Sequence, residues 1–214
     1  MSAEMRSAPL RGRQAQAARN DEAILTAARE VFLADPTAPI STVAERAGVG
    51  IGALYHRYAG KEDLLRTLCQ QGQEIYVAEI EQALSCDREP WEAFVNYLRR
   101  IVAANTHGLT VRLAGTFTAT AEQTTIAERM RALSIELFER VRATGALRPG
   151  LTYLDIDFLL ELLASIRLGN AERSAELRQR HLTVIIDGLR SDHRTPLPGQ
   201  PPTWEEQTER WVRH

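Results

Sequence analysis

The sequence contains 214 residues, of which 44% are hydrophobic, and its formal net charge is −2. This length provides a hydrophobic core for one domain, or for a small domain joined to a larger one. A net charge near zero argues against a protein that coats nucleic acid nonspecifically, although a local basic surface remains compatible with it. No apolar stretch approaches the roughly 20 residues of a membrane-spanning helix, and the first residues lack the apolar core of a signal peptide. We therefore expect a cytoplasmic protein.

The first residues are basic and show no apolar periodicity. Residues 1–19 carry four arginines against one acidic residue. We assign residues 1–17 as a flexible basic arm, and two interpretations remain open: contact with DNA phosphates or the minor groove, or a solvated tail. Asn20 is predicted to cap the following helix, which should end before Pro36.

Two short helices separated by a glycine turn are predicted between Ile40 and Tyr58. In the first, apolar residues recur at helical spacing until Gly48, which can adopt the positive φ that ends a helix. In the second, which starts at Ile51, Leu54 and the final tyrosine are spaced to face a core. The other positions present small residues, hydrogen-bonding groups and a cation outward, as insertion into a DNA major groove requires.

The run VAERAGVGIGALYHRYAGKEDLL, residues 43–65, resembles the helix-turn-helix of the tetracycline-repressor (TetR) family of bacterial transcriptional regulators. Together with the preceding helix, the match covers about the first third of the chain. Gly50 and Gly60 depart from the pattern, since members of the family often carry Ser or Thr at the first position and Ser or Asn at the second. Glycine is a slightly weaker N-cap than these residues. The matching residues are Val43, Ala44, Ala47, Gly48, Val49, Gly52, Leu54, Tyr55, Tyr58, Lys61, Glu62, Leu64 and Leu65.

The resemblance implies a three-helix DNA-binding domain, which we assign to residues 18–77. Composition alone would favour a structural helix-turn that never contacts DNA. By resemblance, the small residues of the second helix approach the bases, and its Tyr and His side chains contact phosphates or base edges. Arg57 either reads guanine or contacts the DNA backbone, Lys61 contacts a phosphate, and Ser41 and Thr42 are phosphate donors or ordinary polar residues. The predicted DNA-binding residues are Ser41, Thr42, Ile51, Gly52, Ala53, Tyr55, His56, Arg57 and Lys61.

A larger helical domain is predicted over residues 78–190, preceded by a long helix that begins at Lys61. The sequence shows no period-2 alternation typical of a strand, so the predicted fold class is all-α. His107-Gly108 should separate the first two helices of this domain. The helical patterns cover residues 90–106, 109–117, 123–143, 152–169 and 171–190.

If the resemblance extends to the second domain, this domain should contain a ligand pocket. We expect aromatic side chains in its wall and polar side chains that orient the ligand. Plain core packing is the alternative for each aromatic residue, and surface exposure is the alternative for each polar one. The candidates are Trp91, Phe94, Tyr97, His107, Arg112, Phe117, Phe138 and Phe158.

The helix from Thr152 is apolar almost all the way round, so more than one of its sides should be buried. The next helix carries an apolar stripe. Pairing of both helices with those of a second copy would form an isologous four-helix interface. The predicted interface residues are Leu159, Leu163, Ile166, Leu182, Ile185, Ile186 and Leu189.

Residues 191–214 combine a proline-rich linker with a T-x-x-E capping box at Thr203 and Glu206. Trp204 and Trp211 would share one face of a helix there. We expect a short terminal helix packed on the body of the protein, and an unstructured tail is the alternative.

Sequence motifs of hydrolases, nucleotide-binding enzymes and metal-dependent enzymes are absent, and the five histidines are scattered. We therefore predict no catalysis, no metal and no cofactor. The predicted function is that of a ligand-responsive transcriptional repressor, which binds a palindromic operator in double-stranded DNA as a homodimer and is released by a small-molecule effector. The alternatives are an all-α small-molecule binding or adaptor protein without DNA binding, and an all-α enzyme.

Overall fold

The computed structural model describes residues 8–113, 116–192 and 195–209. These residues form α-helices and no β-strand apart from one isolated bridge, which confirms the all-α fold class. The helices are, in chain order, α1 (Ala8–Ala34), α2 (Ile40–Ala47), α3 (Ile51–Arg57), α4 (Lys61–Ser85), α5 (Pro90–Ala104), α6 (Thr106–Leu113), α7 (Ala121–Arg142), α8 (Tyr153–Ala164), α9 (Ala171–Gly188) and α10 (Trp204–Glu209).

The chain divides into two compact units, of which the first ends at Leu68 and the second begins at Cys69. The first unit contains α1, α2, α3 and the first residues of α4. The sequence places this boundary at residue 77, further along α4.

α1 begins earlier than the sequence predicts. Asn20, the predicted cap, lies inside the helix, where its Oδ1 accepts a hydrogen bond from Gln16 Nε2 at 2.9 Å. The segment of α1 before Asn20 consists largely of Ala, Arg and Gln, which have high helix propensity and need no apolar stripe to form a helix. The predicted flexible arm is therefore helical from Ala8, and residues 1–7 of that arm lie outside the described part of the chain.

The core of the first unit is built by one apolar face from each of α1, α2 and α4. Phe32 of α1, Val43 of α2 and Leu64 of α4 are fully buried there. Gly48 ends α2 with a φ of 67°, as predicted, and its N–H donates to Glu45 O at 3.1 Å. This left-handed residue turns the chain sharply into α3.

The core of the second unit lies between α5, α7, α8 and α9, with side chains of α4 added. Two boundaries differ from the sequence prediction. Asn105, with a φ of 52°, separates α5 from α6, and α8 ends at Ala164. Asparagine tolerates the left-handed region because its short side chain is polar. Gly108, predicted as part of the break, instead lies within α6, where an added Cβ would approach Ala164 Cβ to 3.2 Å. The glycine therefore allows α6 and α8 to pack closely.

The last helix begins with the capping signal that the sequence predicts. The carboxylate of Glu206 accepts from Thr203 N at 2.7 Å, which forms the predicted capping box at the start of α10.

Within the described ranges, no helix combines the length and the apolar character that a membrane span requires.

Candidate DNA-binding helix and ligand cavity

α3 has one buried anchor and a largely exposed surface. Leu54 is the buried residue of this helix, and Tyr58, which follows its end, is buried as well. Tyr55 is 54% exposed. An added Cβ at Gly52 would meet nothing within 4 Å in the described structure, so packing within the protein does not require a glycine there. The exposed residues of the helix are Ile51, Gly52, Ala53, Tyr55, His56 and Arg57.

Arg57 connects the end of α3 to α1. Its Nε and Nη2 donate to the carboxylate of Asp21 at 2.9 Å and 2.6 Å, and the Tyr58 hydroxyl donates to the same carboxylate at 2.9 Å. The hydrogen bond from Arg57 is the main cause that lowers the pKa of Asp21. Burial, with a smaller contribution from Asp21, raises the pKa of Tyr58 to about 12. The guanidinium is thus engaged in an ion pair of the first unit.

Lys61 also makes contacts within the first unit. Its Nζ donates to Ala38 O at 2.8 Å and lies 5.3 Å from the centroid of the Phe32 ring. An ammonium group has three donors, so this geometry leaves capacity for a further acceptor. Ser41 and Thr42 lie in the first turn of α2, the former exposed and the latter half-buried.

The second unit contains a cavity of about 350 Å³. Two of the predicted pocket residues, His107 and Phe117, line it. Its wall comes from α4, α6, α7, α8, α10 and the segment between α6 and α7. The lining residues are Cys69, Gly72, Gln73, Tyr76, Thr106, His107, Phe117, Ala119, Gln123, Thr124, Ala127, Met130, Arg131, Ser134, Tyr153, Asp157, Glu161, Trp204, Gln207 and Thr208.

The other pocket candidates lie elsewhere. Phe158 lines an open groove on another side of α8, together with Leu159 and Leu162. The side chain of Arg112 lies outside the described residues. Core packing, the alternative for each aromatic candidate, is what the structure shows for Trp91, Phe94, Tyr97 and Phe138.

Several cavity residues were missed because their signal is weak in the sequence. Gln73 and Tyr76 are three residues apart on α4 and so share a face, but this helix has apolar residues on other faces too. Asp157 and Glu161 are four residues apart in the apolar run of α8 and so share a face, but two acidic residues on a helix more often mark a solvated side than a cavity. Trp204 was predicted to pack on the body of the protein, and it contacts Arg131, with the guanidinium carbon 4.6 Å from its ring centroid.

The polar groups of the cavity differ in how they are bonded. The Tyr76 hydroxyl donates to Asp157 Oδ1 at 3.0 Å. Burial raises the pKa of Tyr76 and of its neighbour Tyr97 well above the ordinary value, so both phenols are neutral at pH 7. Gln73 is only 8% exposed, and its buried Oε1 has no hydrogen-bond partner among the described residues. In the same part of the chain, no three His, Cys, Asp or Glu side chains are placed to hold a metal ion.

The predicted interface residues of α8 and α9 do not share one exposed face. Four of them, Leu163, Leu182, Ile186 and Leu189, are buried in the core of the protomer itself and cannot add area to an interface. The other three, Leu159, Ile166 and Ile185, are partly buried against that core. The apolar residues that these two helices expose are Leu162, at 64%, and Val184, at 68%. The exposed apolar surface therefore lies on different residues from most of those predicted.

A small helical unit with an exposed helix after a glycine turn, followed by a helical unit with an internal cavity, is the architecture of a helix-turn-helix regulator with a ligand-binding domain. Two family models match the chain. Residues 24–68 match the model of bacterial regulatory proteins of the TetR family, and residues 89–191 match that of the C-terminal domain of SbtR-like transcriptional regulators. The chain belongs to the TetR family of transcriptional regulators.

Solved structures of the family share this fold. A TetR regulator from Mycobacterium vanbaalenii is 25% identical, with a TM-score of 0.54, and the match covers 83% of this chain and 98% of that one. The ketosteroid regulator KstR2 of Mycobacterium tuberculosis is 18% identical, with a TM-score of 0.59 and coverages of 80% and 95%. LfrR from Mycobacterium smegmatis, in complex with proflavine, is 24% identical, with a TM-score of 0.52 and coverages of 77% and 94%. No curated protein sequence matches the chain significantly.

Proposed function

We propose that this protein is a ligand-responsive repressor that binds a palindromic DNA operator as a homodimer and is released by a small-molecule effector. The observation that carries the proposal is the exposed surface of α3. Ile51 and Tyr55 are large residues exposed to solvent, and the glycine at position 52 has no packing role in the protein. A DNA major groove, about 12 Å wide, accommodates such a helix and would cover these exposed residues.

Four exposed residues of α3, and Lys61 at the start of α4, have roles in this proposal. Gly52 and Ala53 allow the helix backbone to approach the base edges. Tyr55 and His56 supply hydrogen-bonding groups next to them, and the ring of Tyr55 adds apolar contact area. Lys61 uses a donor that remains after its bond to Ala38 to contact a phosphate.

Selection of bound DNA from a random library tests the proposal and yields the operator. We expect a site with two inverted halves. His56→Ala should weaken binding to that site by about tenfold, as expected for the loss of about 1.4 kcal/mol from a base contact. His181→Ala is the matched control, because His181 is equally a surface histidine but lies on α9 of the second unit. A pool that stays random, or equal effects of the two substitutions, would contradict the role of α3.

The proposed homodimer rests on the apolar surface that α8 and α9 expose. Leu162 and Val184 would be covered by the same residues of a second copy related by a two-fold axis. Light scattering at micromolar concentration should give twice the chain mass, and a Leu162→Glu/Val184→Glu variant should give the mass of one chain. Ile75→Glu, which changes an exposed apolar residue of α4, is the control and should remain dimeric. A monomeric unmodified chain would remove both the dimer and the reason for a palindrome.

Release by an effector is proposed to act through α4. This helix begins in the first unit with Lys61 and supplies Gly72, Gln73 and Tyr76 to the wall of the cavity. A ligand that displaces the cavity wall therefore acts on a helix that also belongs to the DNA-binding unit. Any loss of DNA affinity caused by the ligand must be matched by an equal loss of ligand affinity caused by DNA.

Gly72 is the point of α4 where we expect a bend, since glycine weakens a helix by about 1 kcal/mol relative to alanine. Gly72→Ala should change the ratio of DNA affinities with and without a cavity-binding ligand more than it changes DNA affinity alone. Equal ratios for the variant and the unmodified protein would exclude Gly72 as the hinge.

One observation favours the alternative of a small-molecule binding or adaptor protein without DNA binding. Both basic side chains near the end of α3, Arg57 and Lys61, are bonded within the first unit. Binding that is selective for one sequence and weakens steeply with salt excludes this alternative, because such dependence reports phosphate contacts.

A further inference from the structure

The cavity of the second unit is compact and largely apolar. Its volume of about 350 Å³ is near the lower end of the range of about 300–1,000 Å³ typical of small-molecule pockets. The rings of Tyr76, Phe117 and Trp204 are part of its wall. Such a wall binds apolar surface without preference for orientation, so the few polar groups decide how a ligand is placed.

One of these polar groups is unsatisfied within the protein. Gln73 is more than nine-tenths buried, and its Oε1 has no hydrogen-bond partner among the described residues. A buried polar atom without a partner costs free energy, and a hydrogen bond to a ligand recovers it once the carboxamide turns this oxygen toward the cavity. The carboxamide can rotate about its last torsion angle and offer either its oxygen as acceptor or its nitrogen as donor.

The charged groups of the same wall are already engaged. Asp157 accepts from the Tyr76 hydroxyl at 3.0 Å. Arg131 donates to the Tyr153 hydroxyl at 3.1 Å and contacts a tryptophan ring, and Glu161 also interacts with groups of the protein. A charged ligand would have to compete with these contacts inside a mostly apolar cavity, which is unfavourable.

We propose that the ligand of this cavity is an uncharged, compact and mostly apolar molecule with a hydroxyl group, and that Gln73 recognises the hydroxyl. The inference rests on the proposed function, because it names the chemical class of the effector. A hydroxyl both donates and accepts, so it pairs with whichever atom of the carboxamide faces the cavity.

Four compounds with one naphthalene skeleton separate the possible classes: naphthalene, 2-naphthol, the anion 2-naphthoate and the cation 2-naphthylmethylammonium. Binding to the full chain without DNA is followed by the fluorescence of the naphthalene ring. 2-Naphthol should bind about five- to tenfold more tightly than naphthalene, the ratio expected for one net hydrogen bond, and both should bind more tightly than the two ions.

Substitution of Gln73 assigns the hydroxyl preference to one side chain. In Gln73→Leu, 2-naphthol and naphthalene should bind equally well. Gln70→Leu is the matched control on the same helix: Gln70 Nε2 is bonded to Glu74 Oε1 at 3.1 Å, and the residue is not part of the cavity wall. Gln70→Leu should retain the preference for 2-naphthol. The comparison of the four compounds on the unmodified protein does not depend on either variant folding.

Three results would overturn the proposed ligand class: tighter binding of either ion than of 2-naphthol, a hydroxyl preference that survives in Gln73→Leu, or no binding of 2-naphthol at millimolar concentration. The DNA affinity is measured separately with and without 2-naphthol. If 2-naphthol binds as expected but leaves DNA affinity unchanged, the effector role within the proposed function is refuted and the ligand class stands.

Discussion

Replacement of Asp21 by alanine tests how firmly the end of α3 is held to α1. Asp21 accepts hydrogen bonds from Nε and Nη2 of Arg57 and one from the Tyr58 hydroxyl. Because the Arg57 side chain is 63% exposed, its ion pair contributes about 1 kcal/mol, the upper end for a surface pair with bidentate geometry. The Tyr58 hydroxyl belongs to a buried residue, and loss of its acceptor costs a further ~1–3 kcal/mol. Asp21→Ala should therefore lower the free energy of unfolding of the first unit by about 2–4 kcal/mol.

Two further variants separate the contribution of the ion pair from that of the Tyr58 hydroxyl. Arg57→Ala removes the ion pair but leaves the Tyr58 hydroxyl bonded, so it should cost about 1 kcal/mol. In the Asp21→Ala background the same substitution should cost nothing further, because the pair is already broken. The measurement is urea unfolding followed by far-ultraviolet circular dichroism, with hydrogen exchange of the α3 amides to localise the effect. Tryptophan fluorescence is unsuitable, since all three tryptophans follow residue 90.

The DNA affinity of Arg57→Ala tests whether Arg57 acts by holding α3 to α1. If Arg57 mainly holds α3 in place, Arg57→Ala should weaken binding to all DNA sequences by a similar factor. If instead it relaxes the preference at one operator position and leaves stability unchanged, Arg57 reads a base and its pairing with Asp21 does not persist on DNA.

Three other predictions follow from local geometry. Gly48→Ala should lower the free energy of unfolding by about 1–2 kcal/mol in urea unfolding because of the φ of 67°, whereas Gly188→Ala, at a helical position with open space around it and no positive φ, should not lower it. Since the pKa of Tyr58 is raised from 10.0 to about 12, its contribution to stability is present below pH 10 and lost as the pH rises to 12; Tyr58→Phe should reduce the loss of stability measured over that window. Trp204→Ala should speed dissociation of 2-naphthol in stopped-flow experiments, because Trp204 lines the cavity and α10 has no buried residue that would hold the helix over the ligand without it. Glu205→Ala changes the same helix outside the cavity wall and should leave the dissociation rate unchanged.

The helix-turn-helix was predictable because its signals are local. Gly48 ends α2 through its own backbone conformation, and the spacing of Leu54 and Tyr58 determines which side of α3 is buried. The capping box at Thr203 likewise depends on residues three apart. The start of α1 was missed for the opposite reason, since a helix made of residues with high propensity needs no pattern of apolar residues.

The cavity and the exposed face of α8 could not be predicted in the same way. Gln73, Phe117, Asp157 and Trp204 come together from distant parts of the chain, and nothing near any of them in the sequence indicates the others. Asp157 and Glu161 mark one side of α8, but leucines occupy most of the other sides, so adjacent leucines were equally good candidates. Packing of α8 against its neighbouring helices α5, α6, α7 and α9 decides that Leu163 is buried and Leu162 exposed.

Three features of the protein are unfavourable for an isolated protomer, and each would be removed by a different one of the proposed partners. Ile51 and Tyr55 expose apolar surface on α3, Gln73 buries an unpaired oxygen, and Leu162 and Val184 expose apolar side chains on α8 and α9. Substitution to a polar surface residue, or to leucine at position 73, would correct each of them within the protein. In the proposed function, DNA, a hydroxyl-bearing ligand and a second copy of the chain would correct them from outside, and each would stabilise the folded state according to its concentration. Sites that reduce the stability of the isolated protomer are therefore the surfaces at which we expect this regulator to bind a partner.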